Sequence, residues 1–390
     1  MKYRKKICVM INTMLICTNL MFNVTNATII EEDIEEMLII ESEDINDVDF
    51  SSIDIGKLRV DARNAIALDS KTKQVLFEQN ASEIVPMAST TKILTALVAI
   101  SYGDLEREVE ISKTAASIRG SVVGYHSGEK IKMKELLFGL MFRSGNDAAI
   151  AIAEDIGGSI EGFADIMNHY AKSLGLVNSH FESPHGLDSS KHYTCAYDLA
   201  LLTATAMENE QFCEICGQKT MDRSKYNFSR DYSNINKILY KIPNANGVKT
   251  GYTGQAGKCL VSSVNHEGRN IIIVVLNCVD RWNVTEKIYK SVEEFYDFKT
   301  ISSNDIIDNC EYINLGSIIE DCEFDYGYKG EGSLDVEVFQ PIYDSKKGDI
   351  LGKMFFSDNN GEELIKKSLI TNRNISLKEF ESMFINESVE

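Results

Sequence analysis

Hydrophobic positions change period several times along the chain, and each change marks an element. Ile93, Leu94, Leu97, Val98 and Ile100 follow a helical spacing with few polar interruptions, which predicts a largely buried helix after Ser89. Leu136–Phe142 is apolar, breaks at Ser144-Gly145-Asn146, and resumes as a helix through Ala149–Glu154. Asn64–Leu68 and Gln74–Phe77 read as strands. So do Val248–Thr253, Gly257–Val264 and the strongly apolar Asn270–Leu276, with a turn at Gly268 between the last two. That trio predicts an antiparallel meander. Helices are expected at Cys195–Ala206 and Asp280–Phe298. Beyond Lys299 the texture shifts to short β-rich runs at Glu311–Leu315, Cys322–Tyr328, Leu334–Ile342 and Asp349–Phe356. The expected class is therefore α/β: an antiparallel sheet flanked by helices, an inserted helical lobe from about Ser89 to Ala206, and a small all-β C-terminal domain.

The ends add organisation. Residues 1–27 join a basic start, Lys2 to Lys6, to an apolar run from Ile7 to Phe22 and a small-residue end at Ala27. That arrangement describes an export signal, with a retained membrane anchor as the alternative. Residues 28–57 are rich in acids and read as a flexible spacer. A main domain over 58–299, a β domain over 300–366 and a C-terminal helix within 367–390 complete the expected division. In that helix, Ile375–Ile385, the residues Leu377, Phe380, Met383 and Phe384 share one face. Its flanks carry Glu379, Glu381, Glu387 and Glu390, whereas a helix lying on lipid carries Lys and Arg. Peripheral membrane contact thus stays open in both directions. A net charge of −19 argues against nucleic acid as a partner. Nine cysteines include Cys213 and Cys216 at C-x-x-C spacing with no second pair for zinc, so free or partly paired structural thiols are expected. No metal and no cofactor is implied. His185 and His192 lack H-x-x-x-H spacing and read as cleft-wall or structural residues.

Three short motifs carry the chemistry. Ser89 and Lys92 are three residues apart at the mouth of the first helix, so they share a face. Burial and a nearby cation such as Lys249 would lower the lysine pKa and let it accept the serine proton. Ser144-Gly145-Asn146 presents two polar side chains at a helix break. Lys249-Thr250-Gly251 opens the meander, where a glycine permits close approach of an extended ligand and Lys249 with Thr250 can hold a carboxylate. Each string alone recurs by chance: Ser70-Lys71-Thr72-Lys73 and Ser302-Ser303-Asn304 fit the same patterns without a surrounding that supports chemistry.

In this order and setting the chain resembles the serine-type D-alanyl-D-alanine carboxypeptidases, the low-molecular-weight penicillin-binding proteins. The likeness rests on Pro86-Met87-Ala88-Ser89-Thr90-Thr91-Lys92, Phe142-Arg143-Ser144-Gly145-Asn146-Asp147, Gly247-Val248-Lys249-Thr250-Gly251-Tyr252-Thr253-Gly254, and Phe181–Asp188 followed by His192–Ala200. It covers roughly Val60–Val279. The resemblance implies the penicillin-binding/β-lactamase-like transpeptidase fold and a catalytic set of Ser89, Lys92 and Ser144. It also implies that Asn146, Lys249, Thr250, Gly251 and Tyr252 bind substrate, with the backbone N–H groups of Ser89 and Tyr252 as oxyanion hole. Its implied partners are peptidoglycan stem peptides and, as covalent inhibitors, β-lactam antibiotics, met outside the cytoplasm. Tyr252 stands where some members carry His. No Glu-x-x-Leu-Asn element lies between the second and third motifs, which argues against a β-lactamase. A cross-link endopeptidase, a β-lactamase and a catalytically silent wall-binding protein remain the alternatives.

Overall fold

The computed structural model describes residues 58–303, 318–328 and 332–382, together with the backbone of Leu38–Glu41. Two compact units result, one of residues 53–296 and one built on the residues from Asp297 onward.

The larger unit centres on five strands, β1 Asn64–Asp69, β2 Val75–Gln79, β3 Ala245–Thr253, β4 Gly257–His266 and β5 Arg269–Leu276. Their spatial order is β2-β1-β5-β4-β3, antiparallel throughout. The meander places consecutive strands side by side, and the N-terminal hairpin joins it through β1 against β5. Burial follows the two-residue period of a strand. Ile272, Val274 and Leu276 enter the main core, while Ile271, Ile273 and Val275 are equally buried outside it. Both faces are therefore covered, which is why β5 reads as a continuous apolar run rather than an alternating one.

The helices are α1 Lys92–Ser101, α2 Met133–Phe142, α3 Asn146–Gly157, α4 Ile160–Ser173, α5 Ala196–Ala206, α6 Glu210–Gly217 and α7 Arg281–Phe295. Helix α5 packs on β1 and β5, and α7 packs on β5 and β4. Helix α1 touches α2, α3, α4, α5 and α6. Every residue of α1 except its last is buried, Lys92 included. The dense apolar run that predicted this helix is dense because no face of it meets water.

Two short pairings escaped the sequence reading: Glu108–Glu110 with Lys130–Lys132, and Thr220–Met221 with Tyr232–Ser233. Runs of two or three residues carry too little periodicity to be distinguished from loop. Helix α7 ends at Phe295, and Phe298–Ser302 turns into a strand paired with Glu323–Gly327.

In the second unit the strands Gly332–Val338, Ile350–Asp358 and Glu363–Ile370 form an antiparallel sheet, and Leu38–Glu41 pairs with Gly332–Val338 along its edge. Leu38–Glu41 lies inside the segment expected as an acidic spacer; the three consecutive apolar residues Leu38, Ile39 and Ile40 give it strand propensity despite the acids around it. Glu363–Ile370 runs across the boundary expected at residue 366. Within the described residues the C-terminal helix covers Leu377–Ser382. Phe380 is buried in this unit's own core with Phe324, Met354 and Leu369, so it is spent on packing rather than offered to lipid. Glu311–Leu315, Met383, Phe384 and the N-terminal export segment lie outside the described residues. Among the described residues no helix is long and apolar enough to cross a membrane.

A buried ion pair ties the ends of β1 and β5. Arg269 Nη1 donates to Asp69 Oδ2 at 3.0 Å, and Asp69 also accepts from the backbone N–H groups of Lys71 and Thr72. Removing the cation leaves a carboxylate with no exposure to water. Arg269→Met is expected to destabilise the unit by about 3–5 kcal/mol, read as a lower urea midpoint with an unchanged m-value.

Candidate active site

The nucleophile's surroundings are set by an unusual helix start. Residues Ala88–Thr91 form a 3₁₀ turn that leads directly into α1 at Lys92. Sequence spacing predicted an α-helical pair; three residues per turn stacks Ser89 and Lys92 still more directly. Ala88 holds φ at +52°, a left-handed conformation rare for a residue with a side chain. Gly186 explains part of it: a Cβ there would stand 2.0 Å from the Ala88 carbonyl oxygen, so only glycine lets the Pro184–Asp188 loop press against this turn. His192 adds a second brace. Its Nε2 lies 2.7 Å from Thr91 Oγ1, which donates to the Ala88 carbonyl, while its Nδ1 accepts from the Glu182 N–H. That pattern fixes the Nε2–H tautomer.

Lys92 Nζ has three partners: Ser89 Oγ at 2.9 Å, Asn146 Oδ1 at 2.9 Å and the His185 carbonyl oxygen at 2.7 Å. Two of these are fixed acceptors. They take both hydrogens of a neutral amine and leave its lone pair facing the Ser89 hydroxyl. Burial pushes the Lys92 pKa well below the usual lysine range, and the Lys249 charge pushes it further, with Asp147 opposing. The geometry is that of a serine with its base in place.

Asn146 opens α3 and owes its orientation to a loop: its Nδ2 donates to the Arg119 carbonyl oxygen at 2.8 Å, leaving Oδ1 for Lys92. Ser144 sits just before, buried and at φ +58°, a strained conformation of the kind that clusters at functional sites. Among the described residues its hydroxyl has no hydrogen-bond partner within the chain, so it is available to a ligand.

Strand β3 carries the third motif. Lys249 is buried, donates to the Thr250 carbonyl oxygen at 2.9 Å, and has its pKa lowered to about 7 by burial and then by the charge of Arg281. Gly251 lets β3 lie against the nucleophile turn. A Cβ there would stand 3.2 Å from Ser89 N and 3.1 Å from Ala88 Cβ. Tyr252 next to it is exposed, with two thirds of its surface free. Arg281, at the start of α7, donates to the carbonyl oxygens of Gly251 and Cys259 at 2.7 and 2.9 Å, pinning β3 to β4 from behind.

The fold thus brings Ser89, Lys92 and Asn146 into direct contact, sets Gly251 against the Ser89 turn, and places the Lys249 charge within reach of Lys92. Ser144 and Thr250 are buried in the same motifs. Sequence reasoning missed two contributors. The His185 carbonyl is a backbone group and leaves no residue signature. Arg281 hid as an ordinary helix residue. The first decoy stays apart: Lys73 Nζ donates to Ser70 O in a half-buried turn and pairs with Glu208. His185 and His192 are buried and neutral, with pKa values near 3 and 4 from burial first of all. The six described cysteines are free thiols.

Comparisons with known proteins identify the family and the fold. The family described as D-alanyl-D-alanine carboxypeptidase matches residues 52–280. D-alanyl-D-alanine carboxypeptidase DacF of Bacillus subtilis is 37% identical over 226 residues, which is 56% of this chain and 58% of that protein's length. DacC of Escherichia coli is 30% identical over 353 residues, 81% of this chain and 84% of the relative. Among solved structures, D-alanyl-D-alanine carboxypeptidase DacD from Francisella tularensis aligns with a TM-score of 0.63 at 27% identity, covering 85% of this chain and 97% of that one. The Streptomyces K15 DD-transpeptidase aligns at 0.57 and 29% over 60% of this chain.

Burying Lys249 has a measurable consequence. Its folded pKa lies below the unfolded value of 10.5, so between about 7 and 10.5 the unfolded chain binds more protons and stability rises with pH. Lys249→Met removes that cost. The variant is expected to melt several degrees above the wild type at pH 6, with the gap closing as pH approaches 10.

Proposed function

Since the chain belongs to the D-alanyl-D-alanine carboxypeptidase family, we propose that it removes the terminal D-alanine from peptidoglycan stem pentapeptides through an acyl-enzyme on Ser89. The observation that carries this reading is the contact of Lys92 Nζ with Ser89 Oγ, backed by two fixed acceptors in a dry pocket. The substrate ends in a free carboxylate, and Lys249 with Thr250 is the buried polar pair in the middle of the strand that borders Ser89.

In this mechanism Ser89 Oγ attacks the carbonyl of the penultimate D-alanine while Lys92 takes the hydroxyl proton. The backbone N–H groups of Ser89 and Tyr252 hold the oxyanion. Ser144 passes the proton to the departing amine, and D-alanine leaves with its C–N bond broken. Water then attacks the ester, returns a proton to the lysine–serine pair and frees the shortened peptide. Binding itself prepares the base. A carboxylate beside Lys249 favours its charged form, and that charge keeps Lys92 neutral. A β-lactam would open its ring in the same attack, with the leaving amine still tethered in the site.

The basic and apolar N-terminal 27 residues support export, which puts the site on the side of the membrane where stem peptides are found. The acidic body agrees with a substrate that is neither nucleic acid nor anionic lipid.

D-Alanine release from a diacyl-Lys-D-Ala-D-Ala peptide tests the reading. Ser89→Ala is expected to abolish both release and covalent labelling by penicillin, and Ser144→Ala to slow release by about 10²- to 10⁴-fold. Release that persists in Ser89→Ala would sink the proposal.

A further inference from the structure

One buried carboxylate beside the site is used by none of these steps. Asp147 follows Asn146 in the first turn of α3 and has almost no exposure to water. A residue serving only the helix start would need its contact with Ala148 N, which donates to Oδ1 at 2.9 Å. Asp147 does much more. Val123 N donates to both of its oxygens at 3.0 Å, Gly124 N to Oδ2 at 2.8 Å and Tyr125 N to Oδ2 at 3.2 Å. Three successive N–H groups wrapped about one anion make a backbone nest, and Gly124 at φ +95° supplies the left-handed residue that closes it. Among the described residues no Lys or Arg forms an ion pair with this carboxylate, so the loop backbone is its main partner.

The same loop also holds Asn146. The Asn146 N–H donates to the Ser121 carbonyl oxygen at 2.8 Å, and its side-chain amide donates to the Arg119 carbonyl oxygen. Close approach is built in on both sides. A Cβ on Gly120 would stand 2.8 Å from Asn146 Nδ2, and one on Gly145 would stand 2.7 Å from Asp147 Oδ1. Residues 119–124 are otherwise exposed, apart from the half-buried Val123, and Arg119 and Gly120 lack helix or strand of their own.

We propose that Asp147 is a positioning residue: its carboxylate fills the nest of Val123–Tyr125, holds the Arg119–Tyr125 loop against the active-site turn, and so aims the Asn146 amide oxygen at Lys92. This rests on the reading of Ser89 and Lys92 as nucleophile and base. The chain of contacts is short. With the nest emptied, the Arg119 carbonyl drifts, the Asn146 amide is free to turn, and Lys92 loses one of the two acceptors that point its lone pair at Ser89. Asp147 also acts through its charge. The groups facing Lys92 are Lys249 from β3, Asp147 from α3, and the neutral His185 and His192 from the 180–194 segment; of these, Asp147 is the one that raises the lysine pKa.

The test is Asp147→Asn in the full chain, measured by the rate of acylation with benzylpenicillin across pH and by trypsin cleavage after Arg119. An amide in the nest turns an N–H donor toward three others. Acylation is expected to slow by roughly ten- to a hundredfold and tryptic cleavage at Arg119 to quicken. The acid limb of the acylation profile is expected to move to lower pH by about half a unit or more, because the base loses the neighbouring charge that raises its pKa. A merely structural role would leave that limb in place. Wild-type labelling matched by folded Asp147→Asn, in rate and in pH profile, overturns this inference alone. Absence of labelling in both chains overturns the acyl-enzyme reading and this inference with it. If Asp147→Asn does not accumulate as folded protein, Gly124→Ala decides: that position has open space around it, so the change strains the nest without touching the core. Slower acylation supports the proposal, and wild-type acylation with a loosened loop overturns it.

Discussion

Everything at this site depends on burying a lysine next to a serine. A charged ammonium in a dry pocket costs several kcal/mol even after relaxation, so the fold must either pair Lys92 or neutralise it. It does the second. Among the described residues no carboxylate touches Nζ; a carbonyl, an amide oxygen and a hydroxyl do, and Lys249 adds repulsion. These oxygens could serve an ammonium as well; it is burial and the Lys249 charge that favour the amine. The pocket that makes Lys92 a base is thus also a standing cost to the fold, offset by the apolar packing around α1.

That cost explains the strain and close approaches collected here. Ala88 and Ser144 both hold left-handed backbone conformations, and Gly186 and Gly251 both bring backbone to within contact of the nucleophile turn. Four separate stretches of chain meet there: the 3₁₀ turn, the start of α3, strand β3 and the 181–194 segment. The turn is braced by Thr91 and His192, β3 is pinned by Arg281 from the far side, and α3 is tied through Asp147 and Asn146 to an exposed loop. Preorganisation of this kind removes reorganisation from the reaction step, which is where such sites gain most of their rate.

The small unit plays by ordinary rules. Its core of Phe324, Tyr326, Val336, Met354, Phe356 and Phe380 is what an antiparallel sheet with one covered face requires. Phe380 illustrates what an amphipathic pattern leaves open. Periodicity says only that one face is covered, and for Phe380 the cover is its own unit's core.

By itself the sequence determined the periods and the identities. The two-residue and helical rhythms placed β1, β2, the meander, α1, α2 and α5 within a few residues of where they lie, because burial on a defined face leaves its mark residue by residue. The candidate side chains Ser89, Lys92, Ser144, Asn146, Lys249 and Thr250 were legible because they fall in three short motifs whose residue types suit acyl transfer. Tertiary structure alone decided three things. It chose the backbone carbonyl of His185 as a partner for Lys92, and backbone atoms carry no sequence identity. It set Arg281 behind Lys249 although they are far apart along the chain. It filled a nest of N–H groups with Asp147, a contact that depends on a loop conformation rather than on any spacing. Local pattern fixes which atoms are available; only packing of distant segments fixes which of them meet.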